Sequence, residues 1–235
     1  ATVHTAPGEV RRDATAYLRD GRIERIATGA PTAGYAQIDY SGLHLYAGFV
    51  DLHSSYGLPA PATPKPFSFG APQVLASTTP GPFNTNEAIR AEFEAVENFS
   101  PVAEQAKTLR GLGFGSVLSH RADGIARGSG TLLALIDGPA QEAVLQGRAS
   151  AHYSFAKGSS AQFYPISIMG SVALLRQTHL DARWYAAQAN PEFNDQSLLA
   201  WSAQQSLPQF FALSNWMDLL RAQSIANEFE LEYTY

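Results

Sequence analysis

The sequence predicts an α/β protein, because short strand-like runs alternate with helix-like runs through most of its 235 residues. A second observation is Asp20-Gly21 between two alternating runs, since both central residues of a tight hairpin turn need a positive φ. A third is the segment 46–57, an apolar run that ends with Asp51 and His53. Side chains two residues apart on a strand share a face, so this strand end presents both polar groups together.

The composition is that of a folded globular chain, with 45% hydrophobic and 16% charged residues. The 16 Lys and Arg against 21 Asp and Glu, without a basic run, argue against nucleic acid or an anionic membrane as partner. The absence of cysteine excludes disulfides and thiolate metal sites. No apolar stretch approaches the ~20 residues that span a bilayer. The chain begins at Ala1 and not at Met, so we expect a preceding segment, and localisation is not determined by the sequence.

The first part of the chain is rich in strand-like alternation. Alternating apolar and polar residues, broken by turn signals, predict strands at 1–5, 14–19, 22–27 and 37–40. Residues 58–86 hold seven prolines and no periodicity, which predicts a long loop. Such a loop shapes a site or contacts a partner, or else it is disordered.

The remainder alternates helices and strands. Apolar spacing and the caps at Ser100-Pro101 and Asn215 predict helices at 87–99, 100–111, 165–189, 195–205 and 216–227. Apolar runs between them predict strands at 115–120, 131–136, 149–155, 208–213 and 231–235. Strands that alternate with helices imply βαβ units and a parallel sheet.

The run Gly48-Phe49-Val50-Asp51-Leu52-His53 resembles the first barrel strand of the amidohydrolase superfamily, Pro-Gly-Phe-(Ile/Val)-Asp-x-His-x-His, and most of all its imidazolonepropionase-like branch. The resemblance implies a partial (β/α)8 TIM-like barrel preceded by a small β-sandwich segment. Residues 1–45 would be the N-terminal strands of a composite sandwich, and 46–235 the first half or more of the barrel. A closed barrel needs eight strands and we count four or five, so we expect a truncated, N-terminal portion of a longer protein.

In that family the two histidines of His-x-His bind a divalent metal, zinc foremost, that activates water. His53 stands at the first ligand position and Ser55 at the second, and a hydroxyl is a much poorer zinc ligand than an imidazole. The strand at 208–213, where the family is expected to bring further ligands, offers only apolar side chains at 210–213. The final strand offers Glu232 and no histidine. From the residues alone, the simpler interpretation of His53 is a buried histidine bonded to its neighbour.

Asp51, His120, Arg127 and His152 are the other candidate pocket residues. His120 and His152 add to His53 only if their strand ends converge. The glycine-rich stretch 120–130 predicts either an anion-binding nest charged by Arg127 or a tight turn whose Arg pairs with Asp123. A further histidine at position 179 is predicted to lie on a helix surface.

Two functions from different classes follow. The resemblance implies a hydrolase of C–N bonds other than peptide bonds, with metal-activated water. The substitution at Ser55 favours instead a catalytically inactive amidohydrolase-like module that serves as scaffold or ligand-binding domain. A third hypothesis is a phosphate binder that uses residues 127–130. The expected partners are a small-molecule substrate and the remainder of the parent chain, with a homo-oligomer left open.

Overall fold

The computed structural model describes residues 1–29, 31–63, 70 and 72–235. Its chain divides into two compact units, Ala1–Phe49 and Val50–Tyr235. The predicted division at residues 45 and 46 into sandwich and barrel segments stays a prediction. Much of the predicted proline-rich loop, residues 64–69 and 71, lies outside the described residues.

The first unit contains two small sheets. Its strands are β1 (Thr2–Ala6), β2 (Glu9–Arg11), β3 (Ala14–Arg19), β4 (Arg22–Thr28) and β5 (His44–Leu45). One sheet has the order β2-β1-β5, and the other is the β3-β4 hairpin. The predicted turn is confirmed, since Asp20 has φ 51° and Gly21 has φ 73° between paired strands. That these sheets belong to a sandwich stays a prediction.

The predicted strand at 37–40 is wrong, because among the described residues this part of the chain pairs only at β5, parallel to β1. The carboxylate of Asp39 accepts hydrogen bonds from the backbone N (2.8 Å) and the Oγ (2.6 Å) of Ser41. An aspartate that bonds to the chain two residues on closes a local turn, which competes with extended pairing.

The second unit is mixed α/β, and its six-stranded sheet curls into a half-barrel, as predicted for a partial barrel. The strand order is β11-β10-β9-β8-β7-β6. Its strands are β6 (Phe49–Ser54), β7 (Phe114–Ser119), β8 (Ala126–Ala134), β9 (Val144–Ser154), β10 (Gln209–Ala212) and β11 (Tyr233–Thr234). Its helices are α1 (Ala95–Asn98), α2 (Ala103–Gly111), α3 (Ala140–Ala143), α4 (Ile168–Ala186), α5 (Gln196–Gln204) and α6 (Trp216–Phe229).

The sheet is not wholly parallel, which corrects the prediction from the alternating pattern. Strand β8 runs antiparallel to both β7 and β9, whereas β10 is parallel to β9 and β11. The connections on either side of β8 are residues 120–125 and 135–143, too short for the crossover of a dozen or more residues that parallel neighbours need. Because β8 begins at Ala126, half of the predicted glycine-rich loop is strand.

The helix predicted at 87–99 is reduced to α1, four residues long. The backbone before it bonds to the start of β8 instead, with Arg90 N donating to Ala126 O (3.0 Å) and Ile125 N donating to Ala88 O (2.8 Å). These bonds occupy groups that a helix would use internally. The apolar stripe that suggested a helix is nevertheless buried at Ile89, because the segment packs against the core.

The main core lies between the sheet and helices α4, α5 and α6. Its large side chains include Tyr153, Trp201, Phe211 and Phe229. Asp195 and Asn215 cap α5 and α6, each accepting hydrogen bonds from backbone N–H groups of the first turn. No helix among the described residues is long and apolar enough to cross a membrane.

His179 is a buried core residue and not the predicted surface residue, since only 4% of it is exposed. Its ring stacks on Phe229 at a centroid distance of 4.4 Å and meets the edge of Trp201 at 4.8 Å. Helix α4 packs against α5 and α6 at once. A polar pattern along one helix could not show that two further helices cover this face.

Candidate functional site

Three histidines from three different strands come together at one end of the half-barrel. His53 lies on β6, His120 directly after β7, and His152 near the end of β9. His53 Nδ1 and His120 Nε2 are 3.1 Å apart, and the rings of His120 and His152 stack at 3.8 Å with 7° between their planes. His120 and His152 are buried, whereas His53 is exposed at the edge of the cluster. Barrel active sites form at the carboxyl ends of strands, so this cluster is the candidate site.

Local backbone contacts set the positions of the first two rings. Asp51 Oδ1 accepts a hydrogen bond from the backbone N of His53 (3.0 Å), which fixes the end of β6. The backbone N of His120 donates to Ser54 O (2.9 Å), which joins the chain after β7 to β6. Asp51 thus lies on the strand that carries His53, and its carboxylate shapes the strand end.

Hydrogen bonds fix the tautomers of the pair. The Nδ1–H of His120 donates to the carbonyl O of Arg121 (3.0 Å), so Nε2 of His120 carries the lone pair and accepts from Nδ1–H of His53. In the neutral imidazole of His53, the lone pair then lies on Nε2. Burial, opposed by the hydrogen bond to the Arg121 carbonyl and aided by the charges of His53 and Arg127, lowers the pKa of His120 to about 4. His120 is therefore neutral at pH 7.

His152 is held by its own strand and by β10. Its Nε2 shares a hydrogen bond of 2.7 Å with Ser150 Oγ, and its ring stacks on Phe210 at 5.3 Å. Burial lowers the pKa of His152 well below its ordinary value, and the neighbouring His120 lowers it further. A Cβ at Gly130 would lie 2.6 Å from Ser150 Oγ and 2.7 Å from His152 Nε2, so only glycine leaves room for this ring.

Two of these neighbours were missed by sequence reasoning. Phe210 was considered only as a position without a metal ligand, and Ser150 was not considered at all. The alternation on β9 was a usable signal, because Ala151 and Tyr153 lie in the core and Ser150 and His152, which alternate with them, share the opposite face. The stacking of Phe210 could not be read from the sequence, since it depends on the register between β9 and β10.

Arg127 lies at the start of β8 and is 8% exposed. Its Nε donates to Gly124 O (3.1 Å), and no carboxylate of the described residues lies within 4.0 Å of its guanidinium. Asp123 pairs instead with Arg121 (2.6 Å) and accepts from the N and Oγ of Ser159. Burial lowers the pKa of Arg127, with Asp123 opposing, yet a guanidinium stays charged. This buried cation is near enough to His120 and His152 to help lower the pKa of both imidazoles.

The described residues do not fit a complete metal centre. Zinc needs about 2.0–2.1 Å to each nitrogen and three or four ligands, and no group of three His, Cys, Asp or Glu side chains in the described ranges is so arranged. His53 and His120 offer two nitrogens 3.1 Å apart, but His152 lies in a parallel plane and is bonded to Ser150. Ser55 and Glu232 are exposed, and Glu232 precedes β11.

Comparison with known proteins supports the fold. No family model matches the chain, and no curated protein matches its sequence. A crystal structure of an amidohydrolase from Thermotoga maritima MSB8 is similar, with a TM-score of 0.69 over 93% of this chain and 18% sequence identity. The chain spans 58% of the length of that protein. The protein therefore has an amidohydrolase-like fold, while the imidazolonepropionase-like branch stays a prediction.

Proposed function

We propose that this chain carries the active-site end of a hydrolase that cleaves C–N bonds other than peptide bonds. The observation that carries the proposal is the cluster of His53, His120 and His152 at the strand ends of an amidohydrolase-like half-barrel. The substrate is a small molecule. The imidazolonepropionase-like branch is a finer proposal, supported by the run from Gly48 to His53.

In the proposed reaction His53 is the general base. Its free Nε2 takes a proton from water as the oxygen attacks the carbonyl carbon of the C–N bond, and the same nitrogen returns that proton to the departing amine. The imidazolium that forms in between keeps its Nδ1–H bond to the lone pair of His120. This requires a neutral His120, because a protonated His120 would place an N–H at Nε2, directly against the Nδ1–H of His53. His120 is thus a positioning residue.

Arg127 is proposed to bind negative charge in this reaction. A buried guanidinium without a carboxylate partner in the described ranges has hydrogen-bond donors left for an anion. The anion would be a carboxylate on the substrate or the oxygen that becomes negative when water adds to the carbonyl. A second candidate function, binding of phosphate at residues 127–130, is supported by this same guanidinium of Arg127 alone.

The divalent metal implied by the resemblance, zinc foremost, is a separate proposal. It would need ligands beyond His53 and His120, and no step above depends on it. Elemental analysis of active protein purified without chelator tests it. One equivalent of metal that is absent from a His53→Asn variant would support the metal, and active protein without metal would overturn it.

Replacing His53 by Asn is expected to lower kcat/KM by about a hundredfold or more, since a positioned general base contributes roughly 10²–10⁴. The assay follows amine or ammonia release, or ring opening, from a panel of cyclic and linear amides, imides and ureas. Ser55→Ala, directly after the same strand, is the matched control and should keep the full rate. Equal rates in wild type and His53→Asn would contradict the proposal, and no turnover across the panel would favour the inactive ligand-binding module.

Replacing Arg127 by Met is expected to weaken binding of carboxylate-bearing compounds by about tenfold or more, because each charged hydrogen bond contributes roughly 1.5–3 kcal/mol. Neutral compounds of the same shape should be affected less. Isothermal titration with each pair of ligands measures this. Arg176→Met, at an exposed arginine paired with Glu228, is the control. An equal loss for neutral and anionic ligands would show that Arg127 acts only through the fold.

A further inference from the structure

A second pair of histidines lies in the first unit, on the outside of the small three-stranded sheet. His4 is on β1 and His44 on β5, two strands that pair in parallel. His4 Nε2 and His44 Nδ1 are 2.9 Å apart. His4 is half-buried and His44 is exposed, so solvent reaches the pair. Among the hydrogen bonds of the described residues, neither nitrogen has a second partner.

The rings are held in place by an aromatic neighbour. Tyr46 stacks on His4 with a centroid distance of 4.1 Å and 12° between the planes, and the two imidazoles lie 5.2 Å apart at 28°. The residue opposite His4 on β2 is Val10, so no charged side chain faces it directly across that pair. The chain between the two histidines spans 40 positions, yet both nitrogens meet at one point of the surface.

We propose that His4 and His44 form a two-imidazole chelate for a divalent transition metal, with Cu(II) or Ni(II) preferred to Zn(II). With metal–nitrogen bonds of about 2.0–2.1 Å, nitrogens 2.9 Å apart subtend an angle of about 90° at the ion. That is the angle between neighbouring ligands in the square-planar and tetragonal sites of Cu(II) and Ni(II). A tetrahedral zinc ion needs about 109°, which separates the nitrogens by about 3.3 Å. The ion takes the place of the proton shared in the 2.9 Å hydrogen bond, each ring then carries its N–H on its other nitrogen, and water completes the coordination.

Metal binding at this pair cross-links strands β1 and β5 within the first unit. Strand β5 is two residues long and pairs with β1 at only two positions, Thr2 with His44 and Val3 with Leu45. An ion bound to both His4 and His44 holds β5 against β1 in the folded chain. The unfolded chain does not bring the two histidines together, so it has no such site. Binding therefore stabilises the folded state by mass action.

The test is a titration of the full chain with Ni(II) at pH 7.5 by isothermal calorimetry, compared with Zn(II). We expect one equivalent to bind in wild type and the affinity to fall at least about tenfold in His4→Gln and in His44→Gln, since each loses the intramolecular second ligand. His53→Asn removes the exposed imidazole of the cluster in the second unit, and this variant should bind Ni(II) as wild type does. Cu(II) paramagnetic resonance should show two coordinated nitrogens in wild type and one in either variant.

Three results would overturn the chelate: no binding of Ni(II) or Cu(II) to wild type, unchanged affinity in both His4→Gln and His44→Gln, or loss of binding in His53→Asn alone. Zn(II) binding more tightly than Ni(II) would overturn the preference drawn from the 2.9 Å separation. Because both histidines are on the surface of the sheet, circular dichroism should show both variants folded, and the comparison stands on binding alone.

Discussion

Gly128→Ala is expected to lower the free energy of unfolding by about 3 kcal/mol or more, because it combines a left-handed backbone with a steric clash. Gly128 has φ 80°, and an added Cβ would run into Phe93 O and lie 2.8 Å from Phe93 C. Phe93 O also accepts the hydrogen bond from Ser129 N (2.9 Å) that ties residues 86–94 to β8. Urea unfolding followed by tryptophan fluorescence measures the change.

Gly111→Ala is the matched control for this substitution. Gly111 is the last residue of α2, and nothing lies within 4 Å of an added Cβ. Alanine in a helix is more favourable than glycine by roughly 0.5–1 kcal/mol, so this variant should be as stable as wild type or slightly more so. Equal stability of Gly128→Ala and Gly111→Ala would mean that the segment before β8 does not approach the strand as described.

His179→Leu is expected to reduce, but not to abolish, the loss of stability in acid. Burial lowers the pKa of His179 to about 4 from its ordinary value of 6.5, with the charge of Arg183 adding to the effect and Glu228 opposing it. The unfolded chain therefore binds more protons than the folded chain between these two values. The stability from neutral His179 is complete above pH 6.5 and falls as the pH drops towards 4, by about 3 kcal/mol in all.

The measurement is the urea unfolding free energy at pH 7, 5.5 and 4.5, followed by tryptophan fluorescence, to which Trp201 beside the His179 ring contributes. His120 and His152 titrate in the same direction, so the variant should lose stability less steeply in acid than wild type without becoming independent of pH. Leu180→Ala, at an exposed position of the same helix, is the control and should follow the wild-type slope. A His179→Leu slope equal to that of wild type would contradict the assigned burial.

Local sequence patterns identified residues of the candidate site but not how those residues come together. Asp51 and His53 could be placed on a strand end because period-two alternation is a property of the backbone. His120 and His152 could be named as candidates, but their approach to His53 depends on which strands become neighbours. The insertion of an antiparallel β8 between β7 and β9 decided this, and it also moved Arg127 from a predicted loop to a buried strand position.

Two of the wrong predictions share one physical cause. The helix at 87–99 was predicted from a periodic apolar stripe, and the surface position of His179 from polar neighbours along its helix. Such patterns in the sequence do not show which other part of the chain packs against a face. At 86–94 the cover is the start of β8, which takes the backbone hydrogen bonds of the predicted helix. At His179 the cover is two helices that arrive later in the chain.

Local signals in the sequence were sufficient for the α/β class, the Asp20-Gly21 hairpin, most of the strands and helices after residue 100, and the resemblance carried by residues 48–53. These depend on turn chemistry, capping and alternation, which act between residues close in the chain. The folded chain was needed for the sheet order, the imidazole cluster, the isolation of Arg127 from carboxylates in the described ranges, and the contact of His4 with His44. Each of these depends on contacts between residues far apart in sequence, and the free energy of such contacts is set by packing and strand register that no local pattern records.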